Sequence, residues 1–112
     1  MDAALRRLPA PRLRRLPAEL GIVLVSARES GRLHDQHLGD PSPADVLAFP
    51  HGEIVVCPDV AAALCHGHGL TLREELLTYI LHGILHLAGF RDSTRVGALA
   101  MRRLQTRLRK IP

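Results

Sequence analysis

His82 and His86 stand four residues apart inside an apolar stretch running from Leu72 to Gly89. Leu72, Leu76, Tyr79 with Ile80, Gly83 and Leu87 recur at helical steps. This pattern predicts a helix that is apolar nearly all round and therefore central to the fold. Residues four apart on a helix stand one turn above each other, so both imidazoles aim at one point. Burying two imidazoles without partners is unfavourable, whereas a metal ion satisfies both. Gly89 follows at the place where a left-handed residue ends a helix. Asp92 then falls where the returning chain delivers a side chain to the same point. Two neutral imidazoles and a carboxylate form a three-ligand set that leaves the fourth zinc position open for water, the catalytic rather than the structural arrangement. The alternative is a pair of hydrogen-bonded histidines on a buried helix. The coincidence of His82, His86, Gly89 and Asp92 favours one zinc ion per chain.

The rest of the chain reads as short elements around that helix. Pro9, Pro11 and Pro17 keep any helix in residues 1–17 short. Gly21 to Val25 is a β-branched run of strand length. Ser26 and Glu29 form a capping box for a helix to about Leu38. Asp45 to Phe49 and Glu53 to Cys57 read as two short strands joined by Pro50-His51-Gly52. Pro58 suits the first turn of a helix to about Cys65. Thr71 and Glu74 form a second capping box, at the start of the His82 helix. Gly97, Met101, Leu104, Leu108 and Ile111 make the apolar stripe of a last helix over 93–111, with Arg102, Arg103 and Arg109 on the opposite arc.

Length bounds the chain to one domain, 1–112, with a short basic segment at 1–17. Aromatic residues make up only 3% of it, so the core is aliphatic. No apolar run reaches the ~20 residues that a membrane-spanning helix needs, and the basic N-terminus lacks the apolar core of a signal peptide. Cys57 and Cys65 are too few for a disulfide framework and read as buried reduced thiols, which fits a cytoplasmic location. Of the 15 basic residues, set against 11 acidic ones, all but Lys110 are Arg. Most lie between Arg6 and Arg15 or between Arg95 and Lys110. Such clusters suit phosphate, through paired guanidinium hydrogen bonds, and they also suit a solvated helix face. Neutralising contacts to RNA phosphates are expected from Arg102, Arg103 and Arg109. The other histidines rank lower: His34 and His37 near a helix end, His51 in a turn, His66 and His68 in an exposed loop.

The spacing His-x-x-x-His-x-x-Gly-x-x-Asp is that of metzincin peptidases, which carry Glu directly after the first His as general base. Gly83 occupies that position here, which argues against peptide hydrolysis. With Gly83 there, the stretch resembles the YbeY family of bacterial endoribonucleases, whose signature reads His-Gly-x-Leu-His-Leu-x-Gly-Tyr-Asp-His. Pro43-Ala44-Asp45-Val46-Leu47-Ala48-Phe49-Pro50 is similar to the family's Lys-Pro-Thr-Asp-Val-Leu-Ser-Phe-Pro block. Gly52 to Cys57 is similar to its Gly-Asp-Ile-Val-Ile-Cys strand.

The resemblance implies an α/β (α+β) fold in which a short mixed sheet and four to five helices surround the zinc-bearing helix. It also implies metal-dependent cleavage of single-stranded RNA in rRNA maturation, in association with the ribosome. Asp92 replaces the family's third ligand His, Arg91 the Asp before it, and Ser42 a Lys. His37-Leu38 replace a Tyr-Arg pair whose Arg faces the substrate phosphate. Asp is a competent zinc ligand, and its charge makes the metal a weaker Lewis acid. Arg91 is expected to restore a cation beside the metal, from a different direction. Two readings follow: a zinc endoribonuclease, and a catalytically weakened RNA- or ribosome-binding protein that keeps the zinc fold.

Overall fold

Glu53–Val56 is the middle strand of a three-stranded sheet in the computed structural model, which describes residues 2–111. In chain order the elements are α1 (Asp2–Leu5), α2 (Ala10–Leu13), β1 (Gly21–Leu24), α3 (Ala27–Leu38), β2 (Val46–Ala48), β3 (Glu53–Val56), α4 (Pro58–Leu64), α5 (Leu72–Leu87) and α6 (Arg95–Arg109). β3 pairs in parallel with β1, Ile22 facing Ile54, and antiparallel with β2, Leu47 facing Val55. The mixed α+β architecture matches the expectation. Among the described residues there are six helices rather than four or five, because the proline-broken N-terminus forms two single turns. No helix among them is long and apolar enough to cross a membrane.

Most of the local signals hold in the structure, and two do not. Thr71 and Glu74 cap α5 reciprocally, as a complete capping box. At α3 only half a box forms. The Ser26 hydroxyl accepts from the Glu29 N–H at 3.1 Å, but the Glu29 carboxylate turns away to Arg32 at 2.6 Å. A guanidinium one turn along outcompetes a backbone amide for that carboxylate. The second correction concerns α5, which is not apolar all round. Glu75, Tyr79, His82 and His86 form a polar stripe down one side of it.

Two apolar clusters share α5. Leu81 and Leu85 pack with Ala4, Leu8, Met101 and Leu108 on one side. Tyr79 and Ile84 pack with Ile54, Val56 and Ala61 on the other. Gly83 is what lets α5 lie against the sheet. A methyl group there would stand 2.9 Å from Ile54 Cγ2 and 3.3 Å from Val46 Cγ2. Both neighbours are β-branched and stiff, so the position opposite β3 has no room for a side chain. The absence of a peptidase-type Glu at residue 83 therefore has a packing cause.

Gly83→Ala tests this. On helix propensity alone it gains about 1 kcal/mol, whereas overpacking costs typically about 1–3 kcal/mol. We expect a net loss in Tm of a few degrees by thermal melting. A rise in Tm would show that α5 can move off the sheet freely.

Candidate metal centre

The turn after α5 follows from its glycine. Gly89 has φ +92°, a left-handed conformation. Its N–H donates to the His86 carbonyl at 3.0 Å, and the Phe90 N–H donates to the Leu85 carbonyl at 3.0 Å. This is the Schellman pattern that satisfies the last carbonyls of a helix and reverses the chain. Phe90 packs onto the cluster containing Leu85, and the Arg12 guanidinium lies 4.4 Å from its ring centroid. Two residues after Asp92, Thr94 caps α6, its hydroxyl accepting from the Gly97 N–H at 3.0 Å. Asp92 is thus held between the end of α5 and the start of α6, and its carboxylate returns over α5.

His82, His86 and Asp92 converge there. The two Nε2 atoms are 2.9 Å apart, and Asp92 Oδ2 lies 3.5 Å from each. Ligand atoms on a tetrahedral ion of zinc size, with bonds of about 2.0–2.1 Å, sit roughly 3.3 Å from one another. The triangle fits such an ion within a few tenths of an ångström. The three side chains form a cluster that can hold a metal ion. Both imidazoles are half-buried and Asp92 is exposed, so the site opens to solvent on one side.

The other candidate residues divide. Arg102 and Arg109 line a cavity of about 560 Å³ beside His82, together with Asp45, Glu75, Tyr79 and Gln105. Arg103 lines a separate depression along α6, which Arg102 also borders. Helical spacing puts Arg109 on a solvated arc. The side chain is instead half-buried, and its Nη1 donates to Thr78 Oγ1 at 3.0 Å. Arg91 is exposed. His37 and His51 are spent on Phe49, with ring centroids 4.8 and 5.9 Å away. His34 Nδ1 donates to the Ser42 carbonyl at 2.8 Å. His68 is exposed as expected, yet its Nδ1 meets the buried Glu75 carboxylate at 2.9 Å. Cys57 and Cys65 are buried free thiols.

One neighbour of the site is not among the residues that the sequence singles out. Gln105, only 6% exposed, hydrogen-bonds Nδ1 of His82 through its side-chain amide. It lies one helical turn from Met101 in the stripe of α6 that packs on the core. A polar residue in a core stripe is the signal that could have found it.

The family model for Endoribonuclease YbeY matches residues 3–111. The chain belongs to the YbeY family. Endoribonuclease YbeY of Leifsonia xyli subsp. xyli is 40% identical over 90 residues, covering 65% of this chain and 59% of the relative. That of Kineococcus radiotolerans is 34% identical over 108 residues, covering 81% and 62%. The chain therefore spans about three fifths of the length of these curated relatives. The solution structure of TM1509 from Thermotoga maritima matches with a TM-score of 0.62 and 29% identity, covering 97% of this chain and 78% of that one. The family model and the fold shared with TM1509 each cover nearly the whole chain.

The electrostatics favour metal ligation. Burial first, and His86 second, hold the His82 pKa below its ordinary value of 6.5, against the raising effects of Asp92 and Asp45. A depressed pKa keeps the ring neutral, as a ligand must be. The unfolded chain accepts this proton near pH 6.5 and the folded chain resists it to lower pH. Protons then favour the unfolded state, so this stability is complete above that pH and is lost on acidification. We expect the Tm of metal-free protein to fall between about pH 7 and pH 5, and to fall less in His82→Gln. Equal slopes in the two proteins would remove His82 as the titrating group.

Proposed function

We propose that this chain is a zinc-dependent endoribonuclease that cleaves single-stranded RNA in rRNA maturation, working in the cytoplasm with the ribosome as partner. Residues 1–112 form its one YbeY-like domain, and 1–17 are a short basic segment of it. The observation that carries the reading is the convergence of His82, His86 and Asp92 at 2.9–3.5 Å in a chain matched by the YbeY family model from residue 3 to 111. Two imidazoles and one carboxylate are a donor set typical of zinc with an open fourth position. A bound zinc ion would supply Lewis acidity toward a phosphodiester and lower the pKa of its water.

The protein's own groups do the rest. Burial holds His82 toward its neutral form, and both imidazoles are oriented by a helix fixed between sheet and α6. Asp92 adds a negative charge that tightens cation binding and reduces the ion's electrophilicity. The cavity beside His82 offers Arg102 and Arg109 on its α6 wall, where they can hold phosphates flanking the scissile one. Arg91, exposed and adjacent in sequence to Asp92, would add a cation near the site. Arg12 lies over the Phe90 ring, which brings a charge of the N-terminal segment beside the turn after α5.

A second reading has its own support. Leu38, where the family carries Arg, is 70% exposed and offers nothing to a phosphate. On this reading the chain binds RNA with little or no cleavage. One assay separates the two: cleavage of single-stranded RNA by zinc-loaded protein, with His86→Ala as control. We expect cleavage that is lost in His86→Ala. Tight binding without cleavage in both would favour the binding protein. Asp92→Ala should weaken zinc binding at least ~10-fold and Asp92→His should retain it. Equal affinity in Asp92→Ala and the wild type would exclude Asp92 as a ligand.

The arginines should separate as well. Replacing Arg102 and Arg109 by Gln should weaken RNA binding and flatten its salt dependence, by about one log–log unit for each phosphate no longer neutralised. Arg103→Gln should do neither. A larger effect from Arg103 in equilibrium binding would move the RNA path to the outer face of α6.

A further inference from the structure

We infer that Gln105 is a positioning residue for the metal: its amide holds the His82 ring in the orientation that turns Nε2 toward His86 and Asp92. The inference rests on the metal reading of that cluster.

A neutral imidazole carries its proton on one nitrogen only. Nε2 of His82 is the atom that faces Nε2 of His86 at 2.9 Å and Asp92 Oδ2 at 3.5 Å. For Nε2 to offer a lone pair to a cation, the proton must sit on Nδ1, and Nδ1–H then needs an acceptor. The Gln105 amide nitrogen faces Nδ1, and the half-turn of the amide that brings its oxygen there supplies that acceptor. Gln105 comes from the middle of α6, on the stripe of that helix that also buries Met101 and Leu108. Its packing leaves the amide few alternatives.

The chemistry of an amide suits this place better than that of a carboxylate or an alkyl group. Packing alone would be served by Leu or Met, and burying an amide is unfavourable unless it is hydrogen-bonded. A carboxylate accepts only. An amide has oxygen at one end and nitrogen at the other, exchanged by a half-turn of its terminal torsion. Gln105 can therefore accept from Nδ1–H when Nε2 faces a cation. It can donate to a bare Nδ1 when the proton is on Nε2. The second state is required of one of the two histidines when their Nε2 atoms hydrogen-bond each other. Gln105 thus satisfies His82 both before and after metal binding, and ties α6 to the site across 23 residues of chain.

Three measurements test this on the full chain: zinc affinity by competition with a chromophoric chelator, the visible spectrum of the Co²⁺-substituted protein, and the Tm of metal-free protein. Gln105→Leu should bind zinc about 10–100-fold more weakly. Its Co²⁺ spectrum should change, while its metal-free Tm stays level or rises. Gln105→Glu keeps an acceptor for Nδ1–H and should bind zinc as tightly as the wild type or more tightly. Wild-type affinity in Gln105→Leu overturns the role of Gln105 alone. So does a Gln105→Glu variant as weak as Gln105→Leu, since the residue would then act only through packing. A wild type that binds no metal overturns the metal reading and this role with it.

Discussion

Two imidazoles on one buried helix face must each be given partners, and the rest of the structure is arranged around meeting that demand. Half-burial makes protonation of His82 unfavourable, so that ring cannot simply become a cation and attract water. Each ring needs a hydrogen-bond partner or a metal at one nitrogen, and a hydrogen-bond partner at the other. Asp92 and the opposing Nε2 provide the first, and Gln105 the second for His82. The Schellman turn at Gly89 and the Thr94 cap exist at the spacing that brings a carboxylate back over the helix.

That demand also explains why α5 sits where it does. The helix carries a polar stripe, yet it is the element shared by both apolar clusters. It manages both roles because its other faces are Leu and Ile, and because Gly83 allows its backbone to lie directly on β3. With α5 pressed onto a rigid sheet, the histidines cannot drift. Pre-set ligand geometry of this kind lowers the reorganisation needed when a cation arrives. The same reasoning separates this site from the peptidases that share its spacing, since a Glu at residue 83 would have to pass through Ile54.

Much of this is legible in the sequence. β1 and β3 show as β-branched runs, α5 through its Thr71 capping box and apolar recurrence, and the His82-His86-Asp92 cluster through helical spacing followed by Gly89. Each of those signals is local, carried by residues within one or two turns of each other. What cannot be read there is set by interactions between elements. Gln105 shows only as a polar residue in a core stripe, and its role is hidden because its partner is on another helix. Arg109 falls on the outer arc of a helical wheel, which knows nothing of Thr78 beside it. Glu29 has a choice between its cap and Arg32, and the guanidinium wins. The polar stripe of α5 is obscured because Glu75 and Tyr79 are buried by neighbours and not by their own helix.

The central claim is that His82, His86 and Asp92 together hold one metal ion. X-ray absorption at the zinc edge, on protein purified without added metal and quantified for metal content, addresses it most directly. The account predicts about one zinc per chain, with a nitrogen and oxygen shell near 2.0–2.1 Å (roughly), an imidazole signature from two rings, and no sulfur despite Cys57 and Cys65. A chain without metal whose Tm is indifferent to added zinc, or a shell containing sulfur at about 2.3 Å, would contradict it.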